Sequence, residues 1–218
     1  MPIITNQATL RTSIADWLNR TDLLDSTDQL DQFIEMGEAK IYEVLRVPPL
    51  EKLSSFTVLE ANSSITLPSG FIELISLEKS GSSKDEDIIL SRVDEKTFAN
   101  NKVTNAYIRV GSNLLLTDGN GEQKASGTYI LRYYKADEPI GTTPAGESEI
   151  ITQFILDTEY ELILFAALSV ASIYLGDGEA EQKYNELFLR KVNSLNQKEK
   201  AAALKGGQFS ASIPYPGI

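Results

Sequence analysis

The stretch "STDQLDQFIEMGEAKIYEVLRVPP", residues 26–49, predicts a helix and marks the point where the helical start of the chain ends. Its first four residues, "STDQ", are typical of a capping box at a helix N-terminus. Apolar positions then recur at helical spacing and define one face of the helix: Leu30, Phe33, Ile34, Gly37, Ile41, Val44 and Leu45. Pro48 and Pro49 end the helix because proline lacks an amide donor and disfavours helical backbone in the preceding residue.

Beyond these prolines the pattern is typical of strands. Residues 51–135 contain short segments rich in β-branched and aromatic residues, such as "FTVL", "FIELISLEK" and "TYILRYYK", separated by turn signals such as "PSG" and "SGSS". In "TYILRYYK", strict alternation predicts that Tyr129, Leu131 and Tyr133 share one face. We interpret this region as a small antiparallel sheet or sandwich.

The segment "DGNGE", Asp118–Glu122, resembles part of a calcium-binding loop. Gln123 and Tyr129 stand where that pattern requires glycine and glutamate, so the calcium interpretation fails. Asp-Gly and Asn-Gly pairs are typical of tight turns, and we interpret the segment as a hairpin turn.

Helical periodicity frames this strand region on both sides. A first helix is predicted from Thr9 to Asn19, the most apolar helix from Asp157 to Leu175, and a last helix from Glu179 to about Leu204. The longest apolar run, Ile163–Leu175, is 13 residues long, and a membrane span needs about 20. The inward positions of the last helix are predicted to be Ala180, Tyr184, Leu187, Phe188, Val192 and Leu195.

The predicted fold class is therefore α+β. We expect mainly a helical bundle, built from the N- and C-terminal helices, with an inserted small antiparallel β module and an extended C-terminal arm. The predicted regions are residues 1–48 for the N-terminal helices, 49–135 for the β module, 136–204 for the C-terminal helices and 205–218 for the arm.

Composition excludes several classes of function. Among the 218 residues there is no cysteine and no histidine, which excludes disulfides, thiolate chemistry, most catalytic triads and most zinc sites. A formal net charge of −11 disfavours gripping nucleic acid or anionic membranes. The start, "MPIITNQATLRTS", lacks the basic and apolar pattern of a secretory signal. We predict no catalytic residue, cofactor site or metal site.

Three acids near a predicted helix start are the residues that most resemble a set of catalytic carboxylates. Asp157, Glu159 and Glu161 lie where a helix dipole favours negative charge, and residues two apart point to different sides of a helix. We interpret them as helix-start residues.

The chain ends on "GGQFSASIPYPGI", an uncharged and apolar segment. Two glycines end the last helix, and two prolines hold the following residues extended, which suits a peptide laid along a partner surface. We predict a docking arm for the portal or a neighbouring subunit, with these contact residues: Gly206, Gly207, Phe209, Ile213, Pro214, Tyr215, Pro216 and Ile218. The alternative is a tail folded back on its own bundle.

An ordered set of segments resembles the head–tail adaptor (connector) family of tailed bacteriophages. The segments are "SIADWLNRTDL" (13–23), "DQFIEMGEAKIYEVLRVPPLE" (31–51), "LPSGFIELISLE" (67–78), "AYIRVGSNLLLTD" (106–118) and "YILRYYKADEPI" (129–140). The resemblance covers about residues 10–195. The chain departs from the family pattern at "RVPPLE", where the family has "RV..ME", and at Gly37 and Tyr42.

The resemblance implies a virion structural protein without catalytic activity or cofactor. Such a protein forms a dodecameric ring beneath the portal, links the capsid vertex to the tail and lines the DNA channel without specific nucleic-acid binding. Its partners are the portal protein, a downstream tail or nozzle protein and further copies of itself, with no membrane involved. It is made in the host cytoplasm and resides at the head–tail junction.

Two alternatives remain open at this point. One is a carboxylate-only enzyme, such as a glycosidase that uses two acids. The other is a monomeric recognition module that binds through its β region.

Overall fold

A computed structural model describes residues 4, 6–25, 27–81, 87–99, 103–136, 140, 155 and 159–205, with side chains to residue 198. The chain divides into two compact units. The helical unit comprises Met1–Pro48 and Pro139–Ile218, and the β unit comprises Pro49–Glu138. The region boundaries drawn from the sequence stay predictions.

The described helices are α1 (Gln7–Trp17), α2 (Thr27–Val44), α3 (Glu95–Ala99), α4 (Tyr160–Tyr174) and α5 (Gly178–Lys205), with 3-10 turns at Thr21–Asp25 and Pro48–Leu50. The described strands are β1 (Glu51–Val58), β2 (Ser64–Thr66), β3 (Phe71–Lys79), β4 (Ile88–Ile89), β5 (Ser91–Arg92), β6 (Ala106–Val110), β7 (Asn113–Leu116) and β8 (Gly127–Lys135). Helix α3 and all eight strands belong to the β unit.

In the helical unit, α2 and α5 both pack against α4. Helix α4 is apolar on nearly every side and is buried on most of them, as its composition predicts. The predicted inward face of α2 is buried at Leu30, Phe33, Ile34, Gly37, Ile41 and Leu45. Val44 was wrongly included in that face, since 39% of its surface is exposed at the last turn of the helix. The predicted capping residue Ser26 lies outside the described residues.

The described residues of the β unit form two four-stranded sheets. The first has the order β1-β8-β3-β4 and is antiparallel throughout. The second has the order β2-β7-β6-β5 and is mixed, because β5 runs parallel to β6. Residues of both sheets and of the loops between their strands form one hydrophobic core: Val58, Ile65, Leu77, Leu90, Tyr107, Leu114, Leu116, Ala125, Tyr129, Leu131 and Tyr133.

The "DGNGE" segment is a turn, but it does not connect a hairpin. Asp118 accepts hydrogen bonds from the amides of Asn120 and Glu122 at 2.8 Å each, which closes the turn. The strands on either side, β7 and β8, belong to different sheets. The turn therefore carries the chain from one sheet to the other, a route that turn chemistry alone does not specify.

The predicted fold class needs correction. A mainly helical bundle with a small β module is wrong, because two four-stranded sheets make strands a major part of this α+β protein. The reason is long-range pairing: β1 pairs along all eight residues with β8, joining Glu51 to Tyr134 and Val58 to Gly127. Short strands give weak local signals, and their number does not reveal that they close around a core of their own.

Candidate functional site

The predicted docking arm, from Gly206 to Ile218, lies outside the described residues. What the structure describes is the helix that leads to it. Helix α5 has 28 residues and is about 42 Å long at 1.5 Å per residue. Whether the arm contacts a portal or a neighbouring subunit stays a prediction.

Two of the three acids noted in the sequence anchor α5 to the start of α4. The ammonium of Lys191 lies 2.9 Å from a carboxylate oxygen of Glu159 and 2.9 Å from one of Glu161. The hydrogen bonds that Lys191 donates to these carboxylates raise its pKa. The third acid, Asp157, lies outside the described residues. Both described acids lie at the start of α4, as predicted. The expectation that they point to different sides is wrong, because both carboxylates contact the same ammonium: Glu159 precedes the helix and Glu161 is in its first turn.

The contacts of Lys191 with Glu159 and Glu161 also show how far α5 extends past the start of α4. Since Lys191 lies beside the first turn of α4, the 14 residues from there to Lys205 reach about 21 Å beyond it. The described end of α5 therefore lies well past the N-terminal end of α4.

A cavity of about 200 Å³ lies between α1 and α4. Its lining is mostly apolar: Ile4, Ser13, Trp17, Tyr160, Glu161, Leu164 and Phe165. The Trp17 ring contacts Phe165 edge-on at 5.9 Å and Tyr184 at 6.1 Å between centroids, as expected of a core anchor. The cavity suits an apolar side chain better than a polar substrate.

The first sheet has one face in the core and one face toward solvent. We call the second face the open sheet face; its central residues are Glu51, Leu53, Glu78, Ile89, Ile130 and Arg132. The register places Leu53 opposite Arg132, and Ile130 beside Glu78, which in turn lies beside Ile89. Leu53 is 71% exposed and Ile89 is 70% exposed.

Charges surround these aliphatic side chains. The guanidinium of Arg132 donates to a carboxylate oxygen of Glu51, with its Nε at 3.0 Å, and this bond raises the pKa of Arg132. Within the described chain, β1 has β8 as its one paired neighbour, so its other edge is open. Exposed aliphatic residues with charges around them, beside an open strand edge, are typical of a protein-contact surface.

Sequence reasoning missed the open sheet face. A signal was present in β1, where Leu53 falls on the polar side of the alternation while Phe56 and Val58 fall on the core side. Ile89 is in a two-residue strand, which is too short to show a period.

Side-chain clusters that could hold a metal and helices that could cross a membrane were both sought among the described residues. No three histidine, cysteine, aspartate or glutamate side chains among them come together as a possible metal site. No helix in the described ranges is both long enough and apolar enough to cross a membrane.

Comparison with known proteins identifies the family. The family model described as SU10 adaptor protein matches residues 5–208, a range that covers the β unit and most of the helical unit. No curated protein matches the chain. The family match confirms the resemblance to phage head–tail adaptors drawn from the sequence segments, and it indicates a structural rather than a catalytic role. The chain belongs to the SU10 adaptor protein family.

Proposed function

We propose that this protein is the head-to-tail adaptor of a tailed phage, assembled as a dodecameric ring beneath the portal. The ring links the capsid vertex to the tail and lines the channel through which DNA leaves. The observation that carries this proposal is the match to the adaptor family from residue 5 to residue 208.

The proposed partners are the portal protein on one side and a downstream tail or nozzle protein on the other. The open sheet face supports this, because its exposed aliphatic and paired charged residues suit a protein partner. The predicted arm, residues 206–218, is the proposed second contact, made with the portal or with a neighbouring subunit.

The distribution of charge supports passage of DNA without specific binding. The helical unit has 18 Asp and Glu residues against 10 Lys and Arg, whereas the β unit has 13 against 10. The excess of acid is therefore largest in the helical unit, which we propose builds the ring. An acidic channel wall repels the phosphate backbone, so that DNA slides through without adhering.

The test is to mix the purified full-length protein with isolated portal rings and to image the product by electron microscopy. We expect twelve copies stacked as a ring on one face of the portal. Sedimentation velocity of the same mixture measures the added mass, with portal alone and adaptor alone as controls. A protein that stays monomeric and leaves the portal unbound would contradict the proposal and favour a recognition module.

Binding to duplex DNA provides an independent check. We expect no measurable affinity at moderate salt. Tight binding that weakens steeply with added salt would show phosphate contacts and would argue against an acidic channel.

A further inference from the structure

The helical unit exposes two helix faces of opposite charge. The acidic face lies on α2 and contains no Lys or Arg; its exposed residues are Asp28, Gln32, Glu35, Met36, Ala39 and Glu43. The basic face lies on α5 from Gln182 to Lys198, where Glu186 is the one exposed acid; a second acid, Glu179, is exposed one turn before Lys183 on the same side of the helix. The other exposed residues of this face are Gln182, Lys183, Leu189, Arg190, Asn193, Ser194, Gln197 and Lys198.

The charges on the two faces have the same spacing. The acids are at positions 28, 35 and 43, and the bases are at positions 183, 190 and 198, so each series has steps of seven and then eight residues. On an α-helix these steps are about 10.5 and 12 Å long and keep the side chains on one side. Two such helices lying parallel bring Asp28, Glu35 and Glu43 opposite the three bases in register.

These six side chains are available for such a contact. In the part of the chain that the structure describes, none of them forms an ion pair. Lys183 lies with its ammonium 5.7 Å from the ring centroid of Tyr184, which leaves that ammonium at the surface.

Each face also exposes one large apolar side chain beside its central charge. Met36, next to Glu35, is 58% exposed, and Leu189, next to Arg190, is 42% exposed. In the parallel register, helical geometry places both on the same flank of the contact, so they meet when the charges pair.

We propose that the basic face of one copy of this chain packs on the acidic face of the next copy. The two faces lie on different helices, so the contact is head-to-tail, and each subunit uses one face for each neighbour, as a closed ring requires. This inference rests on the proposed ring and names the surfaces that hold it together.

Charge reversal gives a test in which two defective proteins restore each other. Glu35→Lys with Glu43→Lys makes both faces basic, and Arg190→Glu with Lys198→Glu makes both faces acidic. For each variant alone, the yield of rings, on the portal or in solution, is expected to fall about tenfold or more. An equimolar mixture is expected to recover it, because alternating subunits then have complementary faces at every contact. Unchanged circular dichroism and melting show that each variant is folded.

Cross-linking locates the contact directly, since the natural chain has no cysteine. Chains with Met36→Cys and chains with Leu189→Cys are mixed, assembled with portal rings and oxidised. A disulfide between the two kinds of chain is expected, with little product from either variant alone.

The outcomes separate the interface from the proposed function. Rings that form without the Met36–Leu189 position cross-link, or that persist in both charge variants, overturn this interface but leave the adaptor role intact. If the natural protein forms no ring with or without portal, the proposed function fails and the interface fails with it.

Discussion

Gly37 of α2 lies directly against the backbone of Ala167 in α4. A β-carbon built on Gly37 would stand 2.9 Å from the Ala167 nitrogen, closer than real β-carbons come to another atom, and 3.2 Å from its Cα, which is also tight. The two helices therefore approach more closely here than any side chain permits. This explains the glycine, which the sequence showed as a departure from the family pattern.

Replacement of Gly37 by Ala should destabilise the helical unit by about 1–3 kcal/mol, the usual cost of overpacking. The added methyl group meets backbone atoms, which cannot move away as a flexible side chain can. Denaturant unfolding measures the change. Gly178→Ala is the matched control, since nothing lies within 4 Å of its added carbon, and it should be neutral or stabilising. Equal effects of the two substitutions would contradict the close approach.

Phe33→Ala should cost about 3–5 kcal/mol, as for a buried aromatic residue. Phe33 is 4% exposed, and its ring lies 5.4 Å from that of Tyr174 between centroids. The exposed neighbour Gln32, replaced by Ala, is the control and should change the free energy of unfolding by less than about 0.5 kcal/mol. A small effect of Phe33→Ala would show that this face of α2 contributes little to the core.

The β unit should fold when residues 49–138 are produced alone, because its two sheets share a hydrophobic core of their own. Circular dichroism and thermal melting of the fragment are the measurement. Leu131→Ala in the fragment should cost about 2–5 kcal/mol, since Leu131 is fully buried between the sheets. A fragment without a cooperative melt would mean that the β unit depends on the rest of the chain.

Lys40 should make stability depend on pH in the alkaline range. Its ammonium donates to Ser169 Oγ at 2.9 Å and to Asn185 Oδ1 at 2.7 Å, and burial lowers its pKa below the usual 10.5. As pH rises toward 10.5, the unfolded chain therefore holds a proton that the folded protein has released. The free energy of unfolding of the natural protein should then rise relative to that of Lys40→Met.

The measurement compares denaturant unfolding of the two proteins between pH 7 and 10.5. The exposed Lys96, replaced by Met, is the control for the loss of one surface lysine. If the difference in free energy of unfolding between the two proteins stays constant or falls with pH, burial does not lower the pKa of Lys40.

Deletion of residues 206–218 should leave the melting temperature unchanged and abolish co-sedimentation with portal rings. The reason is that an uncharged, proline-containing arm gains too little from contacts within one chain to offset its ordering entropy. A lower melting temperature with intact portal binding would instead favour a tail folded on its own helices.

The sequence by itself determined the order of helices and strands and, apart from Val44, the inward face of α2. Both follow from local periodicity: the apolar positions from Leu30 to Leu45 repeat as a helix requires, and alternation in β8 places Tyr129, Leu131 and Tyr133 in the core. The order of the sequence segments was also sufficient to identify the family, which the match over residues 5–208 confirms.

Tertiary structure decided what depends on residues distant in the chain. The extent of the sheets follows from pairs such as Glu51 with Tyr134, which no local pattern encodes, and so the mainly helical fold class was wrong. Exposure of Leu53 and Ile89 likewise depends on which sheet face the second sheet covers. Gly37 is required only because Ala167 packs against it: close packing is a relation between two surfaces, and each surface alone leaves it undetermined.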